Sequence, residues 1–285
     1  MKYQVARYLI FPLIVSGCAN LLGERSPERV VTPQEFSVID QSCLPLSLQF
    51  SYDEYREAPS VGFAVQEIAV GRFASACISL QKSRSVIDNT ALAGLHIWCL
   101  SQDNNLSAAQ QLLNTAIAEF EVDQHLAYSG AIIHEQSGNH QLAHSLYSDL
   151  FALNGEPMIL EACARTALAS SQSQRCLDCL DQLLLATEIT PKHLTMRAAA
   201  FAQLDRYLES MALLVHMLED WPNDGELLLQ TAFVAYDYAA ASSSLELYVD
   251  AAILLRRITE LDPQNAAVFL PLARCYAASG DFNES

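Results

Sequence analysis

Residues 127–157 read AYSGAIIHEQSGNHQLAHSLYSDLFALNGEP. A small residue, Ala131, is followed by the turn signal Gly138-Asn139-His140, then by a second small residue, Ala143, an aromatic, Tyr147, and finally Leu150 and Pro157. Apolar side chains on both sides of the turn recur at helical spacing, so the stretch reads as two helices joined by a tight reversal. A small residue in each helix lets the two backbones meet where the antiparallel pair crosses, and the large apolar residues fill the flanks. Proline cannot continue a helix interior and so marks the end of the unit.

Outward from Ala143 the same small position recurs at Ala109 and Ala76 upstream and at Cys176, Ser210, Ala251 and Ser285 downstream. The successive spacings are 33, 34, 33, 34, 41 and 34 residues. Partial copies of the motif run Ala198, Phe201, Tyr207, Ser210, Leu214, Met217, Pro222; then Ala251, Leu255, Ile258, Pro263; then Ala273, Tyr276, Gly280-Asp281-Phe282. The first copy reads Ala64, Gly71-Arg72-Phe73, Ala76, Leu80. This period and this order of residues resemble the tetratricopeptide-repeat family. The resemblance covers residues 57–285 and implies an all-α solenoid of antiparallel helix pairs, about six repeats plus a partial one.

Three departures carry their own expectations. The second unit has Ile97 where a small residue is usual, and Trp98 and Cys99 beside it suggest a register shift of one. The spacing of 41 adds about seven residues, which the run Ala239-Ala240-Ala241-Ser242-Ser243-Ser244-Leu245 places in an extended turn between helices. Pro271, inside the last first-helix, should start that helix late or kink it.

The amino terminus reads differently. Lys2 and Arg7 precede an apolar run from Tyr8 to Val15, and then come Ser16, Gly17 and Cys18. That is the pattern of a secretory signal, too short to anchor in a bilayer by itself. Val15-Ser16-Gly17-Cys18 resembles the lipobox of bacterial lipoproteins, which implies cleavage after Gly17 and a diacylglycerol-bearing Cys18 as the mature terminus. Ala19, where an Asp would favour inner-membrane retention, points by the same resemblance to a Gram-negative outer membrane, with the body facing the periplasm. The expected organisation is a signal peptide at 1–17, a lipidated terminus and spacer at 18–56, and the solenoid at 57–285. Pro27, Pro33 and Pro45 punctuate the spacer, and its stretch Leu44 to Phe50 reads either as a short strand or as a segment packed on the first repeat.

Composition agrees with a folded helical body. The 285 residues are 51% hydrophobic and 17% charged, and ten Gly and ten Pro are few for a turn-rich sandwich or barrel. Sixteen Lys and Arg against 33 Asp and Glu give a formal charge of −17, which repels phosphate backbones, so nucleic acid is not an expected partner.

No catalytic or metal constellation stands out, and the chain is expected to be neither an enzyme nor dependent on a cofactor. His134-Glu135 opens like a zinc-protease motif, but Gly138 stands where the second His belongs; His140 and His144 lack a third ligand at helical spacing. Cys176-Leu177-Asp178-Cys179 is a CxxC, yet the repeat frame puts both thiols inside a helix, which leaves a thiol oxidoreductase as a remote alternative. Cys163, on the partnering helix, is expected near Cys176 or Cys179, and a disulfide there suits an oxidising compartment. With Cys18 acylated, seven cysteines remain, so at least one lacks an intramolecular partner.

Function is then expected on a surface. In the family, the first helix of each pair lines a concave groove for peptides, and the frame assigns to it Tyr128, Ile132, Glu135 and Gln136, then Glu161 and Arg165, then Gln203, then Phe233, Tyr236 and Asp237. Repeat lipoproteins of the Gram-negative envelope include type IV pilus pilotins, assembly lipoproteins of Flp pili, and adaptors for outer-membrane assembly or cell-wall hydrolases. The resemblance implies an adaptor of this kind, with envelope proteins bound in the groove, the membrane held through Cys18, and self-association through an open carboxy-terminal end. Expressed in a Gram-negative host, the full-length chain is expected to incorporate radiolabelled palmitate, and Cys18→Ser to abolish the label; a labelled Cys18→Ser protein would refute the lipobox.

Overall fold

A computed structural model of the chain describes residues 44–45, 48–49, 59–84 and 89–279. The expected lipobox with Cys18, most of the expected spacer, Cys43 and Ser285 lie outside these residues, as does the chain end expected to self-associate. Among the described residues there are thirteen α-helices, one short 3-10 turn and no strand. The helices are α1 (Pro59–Ala69), α2 (Phe73–Arg84), α3 (Thr90–Gln102), α4 (Leu106–Glu119), α5 (Gln124–Gln136), α6 (His140–Asn154), α7 (Pro157–Ala169), α8 (Ser173–Ala186), α9 (Pro191–Gln203), α10 (Tyr207–Asp220), α11 (Gly225–Ser242), α12 (Leu245–Leu261) and α13 (Phe269–Ser279). The chain divides into two compact units, the first holding α1–α6 and the second α7–α13.

Local chemistry sets the helix ends. Asn89, Asp123 and Asp224 stand before α3, α5 and α11, and their side chains accept from backbone N–H groups of the first turn at 2.7–3.1 Å. Pro157 and Pro191 are the first residues of α7 and α9, where no N–H is needed and the fixed φ suits the first turn, so these prolines open the next repeat as they close the last. Between the helices of a pair, the chain reverses through one left-handed residue: Gly71, Asn104, Gly138, Ser171 and Asp205 all have φ between 58° and 78°. Their positions keep the spacing of the anchors, yet only two are glycine. Asn and Asp tolerate this region because a short polar side chain can bond locally, and the hydrogen bonds that close each turn recur, as in Gly138 N–H to Glu135 O at 3.0 Å and Ser171 N–H to Leu168 O at 3.1 Å.

The anchors are where the core closes. Ala76, Ala109, Ala143, Cys176, Ser210 and Ala251 are each 0% exposed, and so are their partners on the first helices, Ala64, Ala131, Ala164, Ala198 and Ala232. Ser210 shows why a polar residue is admitted: its hydroxyl donates to the carbonyl of Ala198 on the facing helix at 2.8 Å, so burial leaves no unpaired donor. In the first unit, Val61, Val65, Ile68, Leu80, Leu92 and Leu95 fill the flanks, followed by Ile97, Leu113, Leu126 and Ile133. In the second unit the same role falls to Leu214, Met217, Leu227 and Val234, then Leu228, Leu255 and Ile258.

Two departures resolve differently from the sequence reading. Ile97 is fully buried at the small position with no slip of frame, and a separate close approach lies one turn earlier, at Gly94, to the next repeat and not to α4. There α3 meets α5: a Cβ on Gly94 would lie 2.9 Å from the backbone oxygen of His125, and the Ser129 hydroxyl donates to the Gly94 carbonyl at 2.8 Å. The seven extra residues do not make an extended turn. They lengthen the helices to 18 and 17 residues in α11 and α12, because Ala239, Ala240 and Ala241 are strong helix formers that carry α11 on to Ser242. Ser243 turns left-handed at φ 56°, and Ser244 caps α12 by accepting from Leu247 N–H. Pro271 takes the late start: a 3-10 turn over Ala266–Val268 precedes α13, and the proline sits in its first turn.

The close crossing at Gly94 yields a paired expectation. Gly94→Ala should cost about 1–3 kcal/mol in urea unfolding because backbone cannot give way, whereas Gly130→Ala, 3.7 Å from the mobile end of Leu113, should be neutral or stabilise by up to about 1 kcal/mol. Asp123 provides an acid test. Burial would raise its pKa, but hydrogen bonds from Thr90, from His125 and from Leu126 N–H outweigh this and hold it below the ordinary carboxylate value. A folded pKa below the unfolded one means stabilisation that is complete above the unfolded value and lost as pH falls through the folded one. Asp123→Ala should therefore lower stability by about 1 kcal/mol at neutral pH and by progressively less in acid; an equal loss at both ends of the range would contradict the assignment.

Candidate peptide-binding surface

In the first unit the groove positions are largely spoken for. Tyr128 and Ile132, assigned to the wall, are only 9% and 8% exposed. Tyr128 packs edge-on against Tyr147 with ring centroids 6.2 Å apart, and the Tyr147 hydroxyl donates to Glu135 at 3.0 Å, while Gln136 stays exposed at the end of α5. Tyr128, Ile132 and Glu135 thus work chiefly in packing between α5 and α6.

The same face of this unit receives part of the spacer. Leu44 packs into the cluster formed by Val61, Val65, Leu92 and Leu95, and Leu48 is fully buried. Leu48 N–H donates to Pro45 O at 2.8 Å, and the Gln49 side-chain amide to Leu44 O at 3.2 Å, so the segment turns on itself. Its outgoing end meets α5, where His125 Nε2 lies 3.1 Å from the Gln49 carbonyl and Nδ1 lies 3.0 Å from Asp123 Oδ2. Both ring nitrogens therefore lie within hydrogen-bond distance of oxygen atoms, one on each side of the ring. Of the two readings of Leu44 to Phe50, packing on the first repeats is the one seen at the described positions.

The second unit presents its first helices differently. Glu161 on α7 contacts the Lys192 ammonium on α9 and lies 3.6 Å from His193 Nε2. Burial would raise the Glu161 pKa, but Lys192, through hydrogen bond and charge, together with His193, holds it below the usual carboxylate range. Arg165, one turn along α7, is half-buried. Gln203 is a structural tie: its oxygen accepts from Ser173 at 2.5 Å and its amide donates to Leu168 O at 3.4 Å, fastening α9 to the end of α7. Gln230 repeats the device one repeat later, donating to Thr195 O at 3.0 Å and fastening α11 to α9. On α11, Phe233 and Tyr236 are half-buried over the core, Tyr236 meets Tyr248 edge-on with centroids 5.5 Å apart, and Asp237 is exposed.

Sequence reasoning missed the cations of α9 and of the turn that follows it. Lys192 and His193 follow directly on Pro191, and Arg197 pairs with Asp181 at 2.8 Å while lying 5.8 Å from the centre of the Phe201 ring. Arg206 covers the same ring at 4.3 Å. Their only signal was basic residues clustered at 192–206 in a chain of net charge −17. Chemically, the surface offers a carboxylate, cations and aromatic edges at the spacing of neighbouring helices, which suits hydrogen bonding to an extended backbone with apolar side chains between.

The CxxC lies where the frame placed it, wholly inside α8. Cys176 is fully buried, and burial with Cys179 beside it pushes its thiol up to about 12, the opposite of what a thioredoxin-type nucleophile requires. Cys163, Cys176 and Cys179 are not joined by a disulfide here.

Neither a protein-family description nor a curated protein matches the sequence. Solved structures do resemble the fold. A tetratricopeptide repeat protein from Parabacteroides merdae aligns with a TM-score of 0.53 at 15% identity, over 78% of this chain and 99% of that one. A chain of the APC/C hetero-tetramer Cut9-Hcn1 gives 0.55 at 18% identity over 78% of this chain, which spans only 44% of that longer one. The C-terminal part of a TPR repeat-containing protein from Cytophaga hutchinsonii gives 0.50 at 14% identity, over 74% and 98% of the two chains. At such identities the likeness speaks for architecture alone, and the architecture is that of the tetratricopeptide repeat.

Proposed function

We propose that the chain is a membrane-tethered periplasmic scaffold that binds an extended segment of a partner protein and assists assembly of an envelope machine such as a pilus or a secretion system. The observation that carries the binding role is the half-exposed face of α7, α9 and α11, where Glu161, Arg165, Lys192, Phe233, Tyr236 and Asp237 offer charge and aromatic surface on adjacent helices. The lipobox at Cys18 supports the tether, and the residue Ala19 supports the outer membrane as its address. The strongly acidic body favours a protein partner over nucleic acid.

The test is capture of partners from envelope extracts by the lipidated full-length protein, read by mass spectrometry. Secretin, pilin-assembly or secretion-platform proteins are expected, with recovery falling about tenfold in an Arg165→Ala/Asp237→Ala variant, as for the loss of one strong interface contact. Recovery of cell-wall hydrolases instead would replace the assembly role by their regulation. Equal recovery by wild type and variant would remove the α7–α11 face as the site.

A further inference from the structure

The six described cysteines do not stand alike. Cys77 on α2 and Cys99 on α3 share one core cluster beneath Phe73 and Trp98, and Cys99 hydrogen-bonds the Cys77 thiol. Cys163 on α7 and Cys179 on α8 repeat the arrangement in the second unit, with sulfurs within 4.8 Å of one another and a hydrogen bond from Cys163 to Cys179. Each pair joins two consecutive helices. The remaining two stand differently: burial, with Cys179 one turn along the same helix, pushes the Cys176 thiol up to about 12, and burial pushes Cys275 up to about 11, so neither readily forms the thiolate that exchange requires.

Within each pair the roles divide the same way. The more exposed thiol, Cys77 at 7% and Cys179 at 8%, is the one whose pKa is lowered, by the hydrogen bond its partner donates, against burial that would raise it. The partner, Cys99 at 0% or Cys163 at 1%, is the more deeply buried. The more accessible thiol is thus suited to attack and the more buried one to resolve.

We infer that Cys77–Cys99 and Cys163–Cys179 are two disulfide-forming sites, one in each compact unit, each cross-linking a helix to the next. The oxidant is a small-molecule disulfide of the oxidised-glutathione class. The Cys179 thiolate attacks one of its sulfurs, forming a mixed disulfide and releasing the other sulfur as a thiol. Cys163 loses its proton and displaces the second small thiol, closing the protein S–S bond. In sum two protein thiols are oxidised and one small disulfide is reduced to two thiols. Cys77 and Cys99 follow the same course. The reading selects Cys163 with Cys179 over Cys163 with Cys176, and it excludes closure of the CxxC on itself.

The experiment equilibrates the purified full-length protein with oxidised glutathione, in buffer and during refolding from urea so that burial does not limit access, then blocks free thiols with iodoacetamide and maps unreduced peptides. Expected are cross-linked peptides joining Cys77 to Cys99 and Cys163 to Cys179, with Cys176 and Cys275 alkylated, and the same map in Cys176→Ser. The oxidised protein should also melt at a higher temperature than the reduced one. A Cys176–Cys179 or Cys163–Cys176 cross-link would overturn the assignment. So would alkylation of all six described cysteines under both conditions.

Discussion

Everything in this chain depends on how closely two helix backbones approach at one small residue per helix. Six second-helix positions and five first-helix positions, nearly all alanine, are completely buried, and a larger side chain at any of them would part the helices on which the next repeat packs. The constraint recurs every 33 or 34 residues, and after 41 where α11 and α12 are longer, because one helix pair with its two turns uses that length of chain. Where Ile97 fills the small position of α3, the close approach of that helix is instead to α5 of the next repeat, at Gly94 one turn earlier. Side-chain ties such as Ser210 to Ala198 O and Ser129 to Gly94 O hold the same crossings without leaving a buried donor unpaired.

The repeat was legible because this constraint acts on residue size, which a sequence displays directly. Turn geometry was half legible. Gly71 and Gly138 announce a left-handed residue, whereas Asn104, Ser171 and Asp205 adopt the same conformation with no such signal, held by the hydrogen bonds of the turn. The run Ala239 to Leu245 misled for a related reason: length beyond the period suggested a loop, but the helix propensity of three alanines decided the outcome. At the candidate surface, frame positions identified which helix face to inspect without saying what covers it. Tyr128 and Ile132 occupy groove positions by count and are packed in fact, and no local pattern tells that Leu44 and Leu48 are buried against their unit. Long-range pairs such as Glu161 with Lys192 were equally hidden, because they join residues about one repeat apart.

The two units therefore differ in what their first helices offer. In the first, Leu44 and Leu48 of the upstream chain are buried against the unit's own helices, and His125 contacts the Gln49 carbonyl of that segment. In the second, charged and aromatic groups on α7, α9 and α11 remain half-exposed, with Gln203 and Gln230 fixing the spacing between helices. A surface whose cations are already partnered by carboxylates, in a chain of net charge −17, favours a ligand bound by backbone hydrogen bonds and apolar side chains over one bound by bulk charge. The thiols follow the same division into units, each holding one close pair between consecutive helices.

The most direct measurement is backbone amide hydrogen exchange by mass spectrometry on the protein alone and in complex with the partner it captures. The account predicts added protection on α7, α9 and α11, with α8, α10 and α12 little changed. Protection concentrated on the second helices of the pairs, or confined to α1–α6, would contradict it.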